Sequence, residues 1–123
     1  MAVVLRGDRL LVIRRAAGIP FGGYWTPLSG QVEPGESQAQ ALVREVREEV
    51  GLEVRALRKV WECPAESGGY LLHWWLVEEA GGELTLEPRE VAEARWLTPD
   101  EIHALSPVFA ADLEFVDRVL PTL

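Results

Sequence analysis

The sequence has little of several features that mark particular classes of protein. Cys63 is the only cysteine among 123 residues, so no disulfide can form within the chain and a reducing compartment is expected. No hydrophobic run reaches the length of a membrane span, and the apolar stretch after Met1 is too short for a signal peptide. The sequence therefore predicts a cytoplasmic protein with no membrane partner. Cys63 itself is interpreted as a small buried residue rather than a nucleophile.

Positive charge is also scarce. The chain has 12 lysine and arginine residues against 20 aspartate and glutamate residues, which gives a formal net charge of −8, and it has no concentrated basic patch. Such a protein repels a nucleic-acid backbone, so no nucleic-acid polymer is expected as a partner. The hydrophobic content of 48% predicts one compact domain over residues 1–123. The excess of carboxylates has another use, because carboxylates gathered in one place can hold divalent cations.

Strand and helix patterns are interleaved along the chain, which predicts an α/β domain with a mixed β-sheet flanked by helices. Strands are expected at residues 3–5, 10–13, 54–61, 70–77, 83–86 and 94–97, with a short strand near Trp25. Turns are expected at residues 6–9 and 78–83. A capping box at Thr98 and Glu101 predicts a short helix through Leu105, and a last helix is expected to start at Ser106.

The first helix is the most clearly marked element. Ser37 and Gln40 have the spacing of a capping box, and Gly51 is a natural stop, so a helix is predicted over residues 37–50. At about 100° per residue, its apolar side chains fall on one narrow arc that must pack on the sheet. The residues of this arc are Ala39, Leu42, Val43, Val46 and Val50.

Three glutamates share a neighbouring arc of the same helix. Glu45, Glu48 and Glu49 repel one another there, because like charges one turn apart are destabilising. One interpretation is an ordinary solvated acidic face, relieved by Arg44 and Arg47. The other is a site for Mg²⁺ or Mn²⁺, since hard cations prefer carboxylate oxygens and share their shell with water and phosphate.

The residues before the helix extend this pattern. Gly30 is followed after five residues by Glu36, and after seven more the chain reads Arg-Glu-Val-Arg-Glu-Glu-Val-Gly-Leu. This spacing resembles the signature of the Nudix hydrolase family, G-x5-E-x7-R-E-U-x-E-E-x-G-U, in which U is a bulky aliphatic residue. Every fixed position of the signature is filled, namely by Gly30, Glu36, Arg44, Glu45, Val46, Glu48, Glu49, Gly51 and Leu52.

Similarity to the MutT-type members of the family extends over most of the chain, at residues 14–17, 73–78 and 95–97. The resemblance implies the family's α/β/α sandwich, with the signature loop and helix as its catalytic centre. It also implies a pyrophosphohydrolase in which an activated water attacks one phosphorus of a diphosphate linkage. Mg²⁺ would be the cofactor, with Mn²⁺ as a substitute.

The roles of the signature residues follow from the same resemblance. Glu48 and Glu49 would ligate the metal, and Glu45 would be a further ligand or the base that activates water. Arg44 would pair with Glu36 and so orient the loop. The structural positions of the signature are Gly30, Glu36 and Gly51.

Two further ligands are implied outside the helix. MutT-type members use the backbone carbonyl of the residue before the first signature glycine, which is Ser29 here. Many relatives have a glycine at that position, so a slight shift of the metal geometry is expected at Ser29. MutT-type members also use an acidic residue six positions before a tryptophan. That tryptophan matches Trp96 here, so the acidic residue is Glu90. Glu87 and Glu93 flank Glu90 and are the alternatives to it.

The substrate contacts are less constrained. Arg15 matches a phosphate-contacting position of MutT-type members, although a salt bridge at a strand end would explain it equally well. Tyr70 lies where some dinucleoside-polyphosphate hydrolases carry a tyrosine. His73 and His103 are interpreted as structural. Aromatic residues that could stack on a base, and that are otherwise explained as core, are Phe21, Tyr24, Trp25, Trp61, Tyr70, Trp74, Trp75 and Trp96.

These features slightly favour a nucleoside triphosphate or a dinucleoside polyphosphate as the small-molecule substrate, and an ADP-ribose-type substrate stays open. The alternative function is a non-catalytic module of the same fold that binds a nucleotide or regulates. Loss of signature carboxylates is the usual mark of such a module, and none is lost here. The resemblance also allows a homodimer.

Overall fold

The computed structural model describes residues 1–66 and 68–123. None of the helices in these ranges is long and apolar enough to cross a membrane. The elements follow the order β1 (Ala2–Arg6), β2 (Arg9–Arg15), β3 (Trp25–Thr26), α1 (Gln38–Val50), β4 (Leu52–Pro64), β5 (Leu71–Gly82), β6 (Val91–Leu97), α2 (Pro99–His103), α3 (Ala110–Arg118) and a 3-10 turn at Leu120–Thr122.

The strands form one mixed sheet in the order β3-β2-β1-β5-β4, and β6 also pairs with β2. β1 runs parallel to β5, and the other pairs are antiparallel. At the end of β2, Arg15 is paired with Val91 at the start of β6. The chain that follows Arg15 and the chain that precedes Val91 are therefore neighbours, and this edge of the sheet carries the candidate site.

The sheet buries apolar side chains on both of its faces, because successive residues of a strand point to opposite sides. Leu11 and Ile13 of β2 belong to the core cluster that contains α1. Leu10 and Val12 belong to the cluster that contains Phe115 of α3. Helices thus cover both faces of a mixed sheet, and the predicted α/β/α sandwich is confirmed.

The start of α1 agrees with its sequence. Ser37 Oγ accepts a hydrogen bond from Gln40 N at 3.1 Å, and Gln40 Oε1 accepts one from Ser37 N at 2.9 Å. Gly51 ends the helix with a left-handed φ of 75°, and its N–H donates to the carbonyl of Arg47 at 3.0 Å. Only glycine adopts this conformation at little cost, so Gly51 is a structural residue.

The buried face of α1 differs from the predicted apolar arc. Ala39 and Val43 are only half-buried. Ala41 and Glu49 are buried in their place, together with the predicted Leu42, Val46 and Val50. The burial of Glu49 takes a carboxylate into the interior, which a stripe of apolar residues does not predict.

The later helices confirm one predicted start and correct another. Thr98 and Glu101 form the second capping box, and α2 follows it. The last helix begins at Ala110 rather than at Ser106, so that prediction was wrong. The carbonyl of Pro107 accepts a hydrogen bond from Trp25 N at 3.0 Å, which holds the residues before α3 in an extended form against β3.

Two predictions between residues 78 and 86 were also wrong. The expected turn at residues 78–83 is mostly strand, because β5 continues through Gly82 and pairs there with Leu52 at the start of β4. The expected strand at residues 83–86 is absent from this described stretch. The glycines suggested a turn, but β4 offers a long partner strand that a local pattern does not show.

The segment after β5 instead covers the end of α1. Thr85 N donates to the carbonyl of Val50 at 2.8 Å, and Glu87 N donates to the carbonyl of Glu49 at 2.9 Å. The last carbonyls of a helix have no partners within the helix, so these two hydrogen bonds satisfy groups that would otherwise be unpaired. The same contacts bring the chain before β6, with Glu90, alongside the helix.

Candidate metal centre

Three carboxylates from two parts of the chain meet beside the C-terminal half of α1. One oxygen from each of Glu45, Glu49 and Glu90 lies within 4.8 Å of the others. Glu45 and Glu49 are one helical turn apart on α1, and Glu90 precedes β6 on the segment that covers the end of the helix. Such a group of hard oxygen ligands suits Mg²⁺ or Mn²⁺.

Glu49 is the most buried member of this carboxylate cluster. Its side chain is 8% exposed, and its Oε2 has no hydrogen-bond partner among the residues that the structure describes. The pKa of Glu49 is raised to about 9, chiefly by burial and in smaller part by the neighbouring carboxyls of Glu90 and Glu45, against the opposing charge of Arg15. A cation placed here would pair the unsatisfied oxygen and favour the ionised form, so the residues fit a metal ion.

The pKa of Glu45 is subject to two opposing effects. Burial is the largest and raises the pKa of its carboxyl, while the hydrogen bond and charge of Arg44 lower it. Arg44 Nη1 donates to Glu45 Oε1 at 2.8 Å. The guanidinium therefore fixes the orientation of the Glu45 carboxylate.

Arg44 holds the signature loop as well as the helix. Its Nε and Nη2 donate to the two oxygens of Glu36 at 2.7 and 2.9 Å, and Nη2 also donates to the carbonyl of Gln31 at 3.0 Å. The hydrogen bonds from Arg44, and a second contribution from the Glu33 N–H, lower the pKa of Glu36 to about 2. A bidentate pair of this kind fixes orientation as well as charge, so the expected Arg44–Glu36 pair ties the loop to α1.

Gly30 has no side chain, and this leaves room for the side chain of Glu45 in the carboxylate cluster. A Cβ built on Gly30 would overlap Cγ and Cδ of Glu45 and would lie 2.9 Å from its Oε1. Ser29, the half-buried residue that comes before it, therefore has its peptide next to Glu45. The role of the Ser29 carbonyl as a ligand stays a prediction.

Glu48 lies outside the carboxylate cluster. Its Oε2 accepts a hydrogen bond from Arg44 Nη1 at 3.2 Å, and its side chain is 57% exposed. The solvated acidic face proposed as the ordinary explanation thus describes Glu48, whereas Glu45 and Glu49 turn inward. Ligation by Glu48 stays a prediction.

The two predicted substrate contacts lie in different surroundings. Arg15 Nε donates to the carbonyl of Pro20 at 2.8 Å, and its positive charge lowers the pKa of Glu49. Arg15 therefore faces the site but is engaged with the loop that follows β2. Tyr70 is 60% exposed in the turn between β4 and β5, and no hydrogen bond in the described residues ties its side chain to the cluster.

Most of the other singled-out residues have structural surroundings. Trp74 is fully buried and Trp25 is nearly so, while Trp61, Trp75 and Trp96 pack against the core. His73 lies 3.1 Å from Glu62, and His103 lies 2.7 Å from Asp117. Cys63 is buried, and burial raises the pKa of its thiol. These side chains stabilise the fold rather than form the site.

Some features of the site were missed by sequence reasoning. Neither the proximity of Gly30 to Glu45 nor the segment of Thr85 and Glu87 that delivers Glu90 was predicted. The signature contains Gly30 but does not reveal which atoms need the space. The segment carries no local signal, because its partners are carbonyl groups of a helix more than thirty residues earlier in the chain.

Comparison with known proteins places this geometry in a family. The NUDIX domain family matches residues 1–119. The chain belongs to the Nudix family. This confirms the resemblance that the signature indicated. An NAD-capped RNA hydrolase NudC of Stutzerimonas stutzeri is 38% identical over 109 residues, which cover 85% of this chain and 37% of that protein. This chain therefore spans little more than a third of the length of such relatives.

Solved structures agree with the fold of this Nudix domain. The E. coli ORF135 protein, solved in solution, is 33% identical with a TM-score of 0.70, covering 94% of this chain and 82% of that chain. An ADP-ribose pyrophosphatase of Streptococcus suis has a TM-score of 0.78 over 98% of this chain and 87% of that chain. Its identity is 22%, so this likeness concerns the fold alone.

Proposed function

We propose that this Nudix domain hydrolyses a phosphoanhydride bond of a nucleoside diphosphate-linked substrate and needs a divalent metal ion to do so. The observation that carries the proposal is the meeting of Glu45, Glu49 and Glu90, with an unpaired buried oxygen on Glu49. Two of these residues belong to the Nudix signature and the third reaches the site from another segment. A surface of scattered acidic residues does not produce this convergence.

The residues of the chain divide the work. Glu45, Glu49 and Glu90 would hold the ion, and Glu48 would join them as a further ligand. Mg²⁺, when bound, supplies Lewis acidity and neutralises phosphate charge. Glu45 is the candidate base for the attacking water, because Arg44 fixes its orientation and burial raises the pKa of its carboxyl.

Several classes of substrate are candidates for this reaction. The sequence favours a nucleoside triphosphate or a dinucleoside polyphosphate and leaves an ADP-ribose-type substrate among the candidates. The NudC relatives are named for NAD-capped RNA, so a capped RNA joins the candidates despite the net charge of −8. A cytoplasmic location and a homodimer stay proposals.

The test is a panel of nucleoside triphosphates, dinucleoside polyphosphates, ADP-ribose, NAD and NAD-capped RNA, assayed with Mg²⁺ and with Mn²⁺. Release of a phosphorylated product is expected for at least one compound and should stop when a chelator is added. Glu49→Gln is expected to lower turnover by at least about 100-fold. Glu53→Gln is the matched control, because Glu53 pairs with Arg47 on the surface and lies outside the cluster.

A panel without metal-dependent turnover would reject the proposal. Nucleotide binding without turnover, combined with no effect of Mg²⁺ on the melting temperature, would favour the non-catalytic module instead. The convergence of the three carboxylates argues against that module, because a module that does not use metal has no need to bury Glu49 beside two other glutamates.

A further inference from the structure

Three aromatic rings gather on the surface where β2 ends and α3 begins. The ring centroid of Phe21 lies 5.5 Å from that of Tyr24 and 5.1 Å from that of Phe109, both in edge-to-face contact. Tyr24 and Phe109 are 4.7 Å apart and tilted by 31°. We call Phe21, Tyr24 and Phe109 the aromatic patch. These distances are typical of favourable ring contacts, so the three side chains form one surface.

The aromatic patch is not part of the hydrophobic core. None of its members belongs to either core cluster of the described residues, and Phe21 is 49% exposed. Phe21 also has a φ of 57°, the left-handed conformation that a residue with a Cβ rarely adopts. Strained backbone of this kind is found preferentially at ligand-binding sites, where the surrounding structure holds it in place. The loop thus presents an exposed ring at a conformational cost.

Direct contacts connect the aromatic patch to the carboxylate cluster. Ala16 N donates to the carbonyl of Glu90 at 2.9 Å. Gly22, the neighbour of Phe21, lies against Ala16 so closely that a Cβ on Gly22 would be 2.7 Å from the Ala16 carbonyl oxygen. The path from Glu90 to Phe21 therefore consists of two contacts and one peptide bond. The loop that carries Phe21 is thus connected through its backbone to the segment that carries Glu90.

Arg15 holds the loop that carries Phe21 and Tyr24. Its Nε holds the carbonyl of Pro20, directly before Phe21, while its charge acts on Glu49. The backbone N–H of Arg15 donates to the carbonyl of Tyr24 at 2.8 Å, which closes the base of the loop. Arg15 is thus a positioning residue between the two sites, in addition to any contact with phosphate.

We infer that the aromatic patch binds the nucleobase of a nucleotide whose phosphates lie at the carboxylate cluster. This inference rests on the proposed function, because the cluster is what places phosphates nearby. Every nucleobase has a flat π face, and stacking on aromatic side chains is a strong and sequence-tolerant way to hold it. Phe21 supplies the exposed ring, and Tyr24 and Phe109 support it from behind.

The test compares AMP with ribose 5-phosphate, which carries the same phosphate but no base. Binding of each is measured by calorimetry in the presence of Mg²⁺. Phe21→Gly removes the ring and suits the left-handed backbone, so the variant should fold and bind AMP about tenfold more weakly, with ribose 5-phosphate unaffected. Phe21→Trp keeps a ring and should stay within about threefold of the wild type for AMP.

Two further variants sharpen the result. Phe109→Ala removes the support behind Phe21 and is also expected to weaken AMP binding selectively. Leu57→Ala is the matched control, because Leu57 is an equally exposed apolar residue on β4, 51% exposed, and it should change neither Kd.

The inference is overturned if the wild type does not bind AMP, or if Phe21→Gly leaves the affinity for AMP unchanged. It is also overturned if that variant weakens AMP and ribose 5-phosphate equally. AMP has no phosphoanhydride bond, so this measurement needs no turnover. Base-dependent AMP binding with an inactive substrate panel would reject hydrolysis alone, whereas turnover with base-independent binding would reject the aromatic patch alone.

Discussion

Gly30 leaves the space that the side chain of Glu45 fills. A Cβ at Gly30 would overlap Cγ and Cδ of Glu45, a member of the carboxylate cluster. The backbone of Gly30 is not among the glycines with positive φ, so the glycine is needed for room rather than for conformational freedom. The first position of the Nudix signature is thereby explained in this chain by a contact with one of its catalytic candidates.

The first prediction is that Gly30→Ala displaces Glu45 and weakens metal binding. The overlap includes Cγ, so the whole Glu45 side chain has to move, which takes its carboxylate away from Glu49, Glu90 and Arg44. The Kd for Mn²⁺, measured by calorimetry, should rise by about 10–100-fold, and the melting temperature should also fall. Gly18→Ala is the control, because its Cβ would meet nothing within 4 Å. Equal metal affinities in the two variants would contradict the prediction.

The second prediction concerns Arg44, which joins the loop and the helix. Arg44→Lys keeps the positive charge but loses the fork that holds both oxygens of Glu36 and one of Glu45. Turnover of the best panel substrate should fall by about 10–100-fold, and the melting temperature should also fall. Arg47→Lys is the matched control, because Arg47 pairs with Glu53 on the surface, where its side chain is 59% exposed. A similar loss in both variants would show that the fork is unimportant.

The sequence predicted those parts of the site that lie within one turn or one loop of each other. Ser37, Gln40 and Gly51 mark the helix by local chemistry, and the Arg44–Glu36 pair was implied by the resemblance to the Nudix signature. Glu90 could be proposed only through the resemblance to MutT-type members, because its position beside α1 depends on hydrogen bonds from Thr85 and Glu87 to the end of that helix. Such contacts between distant segments leave no periodic pattern in the sequence.

The division among the glutamates of α1 could not be predicted for the same reason. Glu45, Glu48 and Glu49 lie on one arc of an ideal helix, and periodicity gives each the same surroundings. In the fold, Glu49 is covered by the segment before β6 and Glu48 is drawn to Arg44. Tertiary neighbours, rather than helical position, decide which carboxylate is buried.

The third prediction is that the metal-free protein loses stability as pH rises because of Glu49. The unfolded carboxyl ionises near its ordinary pKa of 4.5, but the folded one keeps its proton until about 9. Between pH 4.5 and about pH 9 the free energy of unfolding therefore falls as pH rises, by at most about 1.4 kcal/mol per pH unit for one proton. Denaturation by urea in the presence of a chelator, from pH 5 to pH 9, should show a steeper decline for the wild type than for Glu49→Gln.

Mg²⁺ provides the control for that experiment. The ion favours the ionised carboxylate, so saturating Mg²⁺ should remove most of the difference in slope between the wild type and Glu49→Gln. If the two proteins have parallel stability curves in chelator, the burial of Glu49 does not carry the predicted cost.

The fourth prediction concerns Asp112, a second buried carboxyl on the opposite face of the sheet. Asp112 is 4% exposed, and Oδ2 accepts a hydrogen bond from Thr26 Oγ1 at 2.7 Å. The pKa of Asp112 is raised to about 7, chiefly by burial, and the charge of Glu66 adds to the rise. The hydrogen bond from Thr26 and the charge of the Met1 amino group oppose it. Because the unfolded carboxyl ionises first, stability should decline between about pH 4 and pH 7.

Asp112→Asn keeps the size of the side chain and the acceptor for Thr26 but removes the ionisation, so it should flatten this part of the stability curve. Thr26→Val takes away the hydroxyl that favours the charged form, so the decline should extend above pH 7. Glu114→Gln, an exposed change on the same helix, should leave the curve as it is. All three variants should bind Mn²⁺ like the wild type, because α3 and the carboxylate cluster lie on different faces of the sheet. A changed metal affinity in Asp112→Asn would show that the two faces are coupled.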